Sequence, residues 1–494
     1  MVKRKSGSGV SNDAILLTLI KLITLLLGIL VTRLLSQFLT PLDYGTYAQA
    51  MMLVSTVSNL TILGMIDGVN YFNCSEKDEI KREAYLATLF SSQCIVSAIA
   101  GVVIFMIGGA VCRYFDNPDL KRLLIFVAGL SFLQNTISML QVLVVSIGKA
   151  KLLAIRNLVV SVVRLIAVIS VVALVRNIAV ILVVITILDL GQITVFAALL
   201  RKSGYAINIF HADFSLLKRI AFYCGPMAIF IAINSINRDL DKYLIAVVTN
   251  TETVALYANA SKQLPFDIIM ASFCTVLQPE ITRLAAEGQR DKATPMYKLL
   301  MEIAYIPNVI LCGAALTSAP QLMLFLYSDK YLSGLLIFCI YILVDLVRFS
   351  NMTLVLCAVG ETKKVMLLGF CTIAMNASLN LLLYELLGLP GPAWATLITT
   401  GITGILMIML SAKALRARLR AVIDAKYILK LILHGILTMV ICIAFRTWLV
   451  SMDIYYIVVL LLTAGSYCLI MLLMHGKKLL ATMREINALT KTRE

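Results

Sequence analysis

The sequence predicts an all-α polytopic membrane protein of about fourteen transmembrane helices, arranged as two parallel six-helix lobes followed by a C-terminal helix pair. Three observations predict it: an apolar composition that only lipid can solvate, basic residues gathered on alternate loops, and a faint internal repeat. Of 494 residues, 60% are hydrophobic and only 14% charged, and the mean hydropathy is +0.93. A water-soluble domain is near half apolar.

The apolar residues fall into stretches of about twenty, the length that crosses roughly 30 Å of hydrocarbon. In order they occupy 14–38, 44–66, 84–108, 120–147, 152–175, 178–200, 218–243, 254–278, 298–320, 332–359, 364–387, 391–412, 427–449 and 454–474. The first is too long for a signal peptide and lacks a small-residue cleavage site, so it is read as a helix. The connections are short and polar, and no soluble domain fits between them.

Net charge is +16, which in a soluble protein would suggest nucleic acid. Position decides otherwise. With odd-numbered helices running outward, one side holds 30 Lys and Arg, and the other holds six: Arg113, Lys121, Arg122, Arg176, Lys330 and Arg446. The positive-inside rule puts both termini in the cytoplasm and explains most of the positive charge as topology, so a nucleic-acid partner loses its main support and none is expected. The eleven cysteines are scattered without a CxxC pair, as small core residues are, so no zinc or disulfide framework is expected.

Tyr47-Ala48-Gln49-Ala50 returns as Tyr257-Ala258-Asn259-Ala260, 210 positions on. Ser146-Ile147-Gly148-Lys149-Ala150-Lys151 returns loosely as Ala358-Val359-Gly360-Glu361-Thr362-Lys363, and Thr186 with Gly191 returns as Thr399 with Gly404, at offsets of 212 and 213. Each match holds the same place in a six-helix count, so the repeat is parallel with its axis along the membrane normal. The expected divisions are a cytoplasmic N-terminus at 1–13, a first lobe at 14–202, a cytoplasmic connection at 203–217 and a second lobe at 218–412. A basic cytoplasmic loop at 413–426, the final pair at 427–474 and a cytoplasmic tail at 475–494 complete the chain.

Several motifs resemble the polysaccharide flippases of the multidrug, oligosaccharidyl-lipid and polysaccharide exporter superfamily. They are Thr32-Arg33-Leu34-Leu35, Pro41-Leu42-Asp43-Tyr44-Gly45-Thr46-Tyr47, Gly360-Glu361-Thr362-Lys363 and Gly388-Leu389-Pro390-Gly391-Pro392-Ala393. The resemblance implies two six-helix bundles around a central cavity and a bacterial plasma-membrane flippase. Its cargo would be a polyprenyl-(pyro)phosphate-linked oligosaccharide, exported for surface polysaccharide. Membrane lipid, a polysaccharide polymerase and glycosyltransferases are the partners implied. A lipid-linked cell-wall-precursor flippase and a gradient-driven drug or cation exporter of the same superfamily stay open as alternatives.

Seven basic residues lie inside helices: Lys21, Arg33, Arg164, Arg238, Lys242, Lys262 and Arg348. Each costs about 2.5–3.5 kcal/mol at a helix centre unless it faces water or a partner. Arg164, near the midplane with no acid on its own helix, is the leading candidate for holding a phosphate, with Lys21 next. Arg33, Arg238 and Lys242 fit either the pathway or an interfacial snorkel, and Asp239 and Asp241 can neutralise the last two. Arg348 fits either the pathway or an ion pair with Asp345, three positions earlier.

Asp189, Asp345 and Asp267 are candidate ion-coupling groups, and Glu302 is a further embedded acid. Asp189, beside Gln192 at helical spacing, also fits a simple partner for Arg164. Asn376 and Asn380, one turn apart, can hydrogen-bond sugar hydroxyls or join helices. His434 fits a structural hydrogen bond. There is no Walker loop, zinc spacing or nucleophile elbow, so no enzyme activity, cofactor or metal is expected.

Overall fold

The computed structural model describes residues 7–76, 78–147, 149–175, 177–205, 211–264, 266, 281, 284, 288–348, 353–359 and 361–491. Among them there is no strand. Helices α1 (Gly7–Phe38), α2 (Pro41–Thr61), α3 (Met65–Ser75), α4 (Glu79–Tyr114), α5 (Leu120–Ser146), α6 (Ala150–Leu174) and α7 (Ile178–Arg201) come first. After a 3-10 turn at Phe214–Leu216 follow α8 (Leu217–Val248), α9 (Thr251–Ala260), α10 (Arg290–Thr317) and α11 (Ala319–Leu326). A second 3-10 turn, Asp329–Gly334, leads into α12 (Leu335–Val347), α13 (Leu354–Ala358), α14 (Thr362–Leu387) and α15 (Gly391–Ala414). The short α16 (Leu419–Val422) precedes α17 (Ala425–Ser451) and α18 (Tyr456–Lys491).

Ten of the described helical stretches are long and apolar enough to cross a membrane. The chain is a multi-pass membrane protein. Of the four other predicted spans, 14–38 lies within α1 and 218–243 within α8, each a continuous helix, while most of the second half of 254–278 lies outside the described residues. The span predicted at 44–66 is broken: Leu63 (φ 46°) and Gly64 (φ 68°) adopt left-handed backbone, and the chain restarts as α3. The stretch predicted at 332–359 is likewise divided, into the 3-10 turn, α12 and α13. In the other direction, α18 runs to Lys491, through most of what was expected to be a tail.

Packing divides the chain into two compact units, residues 1–256 and 257–494. In the first, α5 lies at the centre, against α2, α3, α4, α6 and α7. Small and polar side chains make the join to α2, as is usual where lipid removes the hydrophobic drive between helices. Ser131 Oγ donates to Val54 O (3.2 Å), and Asn135 Nδ2 donates to Ser58 O (3.1 Å) and Thr61 Oγ1 (2.9 Å). Helix α8, placed by the sequence repeat at the head of a second lobe, packs here on α2, α3 and α4.

The motif around Pro41 has a local explanation. Thr40 caps α2 by accepting from Asp43 N (3.1 Å) and donating to Asp43 Oδ2 (2.7 Å), with Pro41 at the first helical position. Gly45 is needed because a Cβ there would stand 2.3 Å from the carbonyl oxygen of Thr251.

In the second unit α10 is the buried helix, packed by α12, α17 and α18. Asn308 Nδ2 donates to the carbonyls of Asp345 (2.9 Å) and Leu346 (3.2 Å), and Gly313 admits the ring of Tyr467. Glu302, 2% exposed, meets Lys478 Nζ at 2.7 Å and accepts from Thr482 Oγ1 at 3.0 Å. Both partners lie in the extension of α18. His475, in the same extension, sits between Tyr427 Oη (2.9 Å) and His434 (3.1 Å), so His434 makes the hydrogen bond expected of it.

Candidate functional site

A cavity of about 390 Å³ opens in the first unit among α1, α5, α6 and α7. Its walls carry Arg156, Asn157 and Arg164 from α6, Asp189 and Gln192 from α7, and Gln134 and Gln141 from α5. The helical period explains the grouping: Arg156, Val160 and Arg164 recur every four residues along α6, and Asp189 and Gln192 are three apart on α7, so each set shares a face.

Arg164 Nη2 donates to Asp189 Oδ1 at 3.1 Å, and Gln192 Nε2 donates to the same oxygen at 2.7 Å. Arg156 donates to Gln192 Oε1 and, at 2.7 Å, to Asn157 Oδ1, while its guanidinium lies 4.2 Å from the centroid of the Phe196 ring. Asp189 is 2% exposed, yet its Oδ2 has no partner among the described residues, and neither do Arg156 Nε and Arg164 Nε. The arrangement is two guanidiniums around one carboxylate, so the site carries excess positive charge and unused hydrogen-bonding capacity. Arginine's planar fork suits phosphate oxygens.

The structure thus joins Arg164 to Asp189 and adds Arg156, which sequence reasoning missed. Arg156 was counted with the inner connection because it stands near the predicted start of its helix. In place it is 9% exposed. Its spacing of eight from Arg164 on one helix was the available signal.

The other predicted residues stand elsewhere. Arg238 and Lys242 gather on Asp239, with Lys242 Nζ at 2.7 Å from Oδ1 and Arg238 Nε at 3.6 Å from Oδ2, so the local neutralisation that the sequence allowed is present. Arg238 also donates to Ser55 Oγ at 3.3 Å. Arg33 is half-buried on α1 and is absent from the cavity wall. Asp345 accepts from Leu264 N at 2.9 Å, and Arg348 is exposed at the end of α12. Asn376 and Asn380 are 2% and 1% exposed on α14, and both atoms of the Asn380 amide lack a partner among the described residues. The Lys21 side chain and Asp267 lie outside the described residues. Among the described residues no cluster of His, Cys, Asp and Glu could hold a metal.

Residues 34–335 match the family described as polysaccharide biosynthesis protein. The chain belongs to this family. Among solved structures, the chain is similar to the lipid II flippase MurJ in an inward-closed conformation, at 15% identity and a TM-score of 0.72 over 94% of this chain and 99% of that one. It is also similar to an inward-facing multidrug resistance transporter of the MATE family in the MOP superfamily (15% identity, TM-score 0.63, 80% of this chain and 94% of that one). A MOP superfamily transporter from Pyrococcus furiosus, described as having a binding pocket of reverse polarity, matches at 15% identity and TM-score 0.57, over 82% of this chain and 94% of that one. No curated protein sequence matches significantly. At these identities the likeness establishes the fold.

Proposed function

We propose that the chain is a flippase that carries a polyprenyl-(pyro)phosphate-linked oligosaccharide from the inner to the outer leaflet of a bacterial plasma membrane, supplying surface polysaccharide synthesis. The observation that carries the reading is the cavity pairing Arg156 and Arg164 around Asp189 inside a helical membrane protein of the polysaccharide biosynthesis family. Asp189 is the resident counter-ion of the empty state. An incoming phosphate competes for Arg164 and Arg156, and the displaced carboxylate is the group able to take up a coupling cation. The amides of Gln134, Gln141 and Asn157 on the wall suit sugar hydroxyls.

In this reading fourteen helices form two six-helix lobes and a final pair, both termini are cytoplasmic, and the lobes open alternately to the two sides. The polyprenyl tail stays in lipid, and the headgroup travels in water. No covalent step is involved. With the interior negative, each net negative charge moved outward gains about 2.3 kcal/mol per 100 mV. A polysaccharide polymerase and glycosyltransferases would act on either side of this step.

A lipid-linked cell-wall precursor presents the same phosphate chemistry, and only its sugar distinguishes it. A drug or cation exporter fits less well, because the cavity sets two guanidiniums against one carboxylate. The test is a deletion strain complemented by wild type, by Arg164→Gln and by Arg156→Gln at matched protein levels. Accumulation of a complete oligosaccharide-lipid on the inner face, uncorrected by either variant, supports the proposal. Unchanged intermediates together with raised sensitivity to cationic drugs would replace it with the exporter.

A further inference from the structure

A second cavity, of about 860 Å³, lies at the start of α8, lined by Tyr85 of α4 and by Ser215, Leu216, Lys218, Arg219, Ala221 and Phe222. Its frame is fixed from two sides. Thr88 of α4 accepts from Asp213 N (3.0 Å) and donates to Asp213 O (3.2 Å), which ties the 3-10 turn before α8 to α4. Tyr85, 2% exposed, stacks on Phe72 with ring centroids 4.3 Å apart.

Arg219 Nη1 donates to Tyr85 Oη at 2.9 Å, and its guanidinium carbon stands 5.5 Å from that ring's centroid. This uses one of five N–H donors. Among the described residues neither Lys218 nor Arg219 has a carboxylate within 4 Å. The nearby Asp213 is occupied: hydrogen bonds from Ser215 hold its carboxyl below the usual range. Beside these cations the surface turns apolar, with Phe222 88% exposed and Phe214 49% exposed.

We propose that this groove binds the headgroup of an anionic phospholipid, with Lys218 and Arg219 holding the phosphate and Phe222 and Phe214 lying along the acyl chains. Charge complementarity selects the phosphate. The exposed aromatic rims select a lipid over a free anion, since a soluble phosphate gains nothing from Phe222. Tyr85, Tyr205 and Tyr223 nearby suit the headgroup level, where amphipathic rings concentrate. Arg82, set 5.3 Å from the Tyr205 ring centroid, is neutralised by its ion pair with Glu79 at 3.5 Å, so the charge of the groove rests on Lys218 and Arg219.

The test titrates phosphatidylglycerol and phosphatidylcholine onto the full chain in neutral detergent, with bound lipid read by native mass spectrometry. Wild type should prefer phosphatidylglycerol. Lys218→Gln should weaken that binding about fivefold, and Lys218→Gln/Arg219→Gln roughly thirtyfold, following about 1 kcal/mol per interfacial cation; phosphatidylcholine binding should not change. Arg219→Lys, which keeps the charge, should stay within about threefold of wild type. If the double variant elutes as an aggregate, the exposed Lys218→Gln alone decides. Equal preference for phosphatidylglycerol in Lys218→Gln and wild type overturns the proposal, and so does displacement of phosphatidylglycerol by an equimolar polyprenyl phosphate, which would make the groove an entry point for the lipid carrier.

Discussion

Arg164 and Asp189, 25 positions apart on adjacent helices, meet at 3.1 Å, and the meeting leaves one oxygen of the carboxylate without a partner. The pair is asymmetric: the Asp189 side chain is 2% exposed and that of Arg164 is 39% exposed. The acid is therefore fixed, while the arginine reaches into the cavity and is free to change partner. A double-mutant cycle with Arg164→Gln and Asp189→Asn, read by thermal unfolding in detergent, should give a coupling of about 1–2 kcal/mol, between exposed and buried pairs. Additive single effects would mean that the pair is not formed in the resting protein.

Arg156 should not tolerate lysine. The substitution keeps the charge but loses the planar contact with Phe196 and the fork that reaches both Gln192 and Asn157. Transport by Arg156→Lys should fall at least tenfold while stability falls by about 1 kcal/mol. Transport near the wild-type level in an oligosaccharide-lipid export assay would leave Arg156 a purely structural cation.

Gly45→Ala should destabilise the first unit by about 1–3 kcal/mol, because the added Cβ meets backbone, the Thr251 carbonyl, rather than a yielding side-chain tip. Gly109→Ala is the control. No atom lies within 4 Å of a Cβ at that position of α4, and helix propensity alone favours alanine there by about 1 kcal/mol. The melting temperatures of the two variants should move in opposite directions.

Glu302→Gln should cost about 1–2 kcal/mol. It breaks the contact with Lys478, whose side chain is 41% exposed and recovers hydration, but it leaves a polar group buried beside Thr482. Removal of the chain beyond Met474 should cost more, since it takes away Lys478, Thr482 and His475 together. Thermal unfolding of both variants checks the order, which would be reversed if the extension of α18 were idle.

Much of the fold was legible because crossing a membrane is a local property. About twenty apolar residues announce a span wherever they occur, and ten such spans are present among the described residues. The breaks were harder to read. Leu63 and Gly64 interrupt α2 inside an apolar stretch, and hydropathy does not register a change of backbone hand. At the site, Arg164 and Asp189 were visible as embedded charges needing partners, whereas Arg156 was hidden by its place near a helix end. Arg238 and Lys242 were visible too, yet they gather on Asp239 within one turn of α8.

The sequence by itself determined the solvent of this protein, the helical class, and which charges must be compensated, since each follows from a residue's own transfer cost between water and lipid. Only the tertiary structure decided which charge meets which. Pairing depends on the rotation and depth of helices distant in sequence: α6 turns Arg156 and Arg164 toward Asp189, and α18 continues far enough to bring Lys478 to Glu302. Those rotations are fixed by the packing of every neighbouring side chain, and no single stretch of sequence contains them.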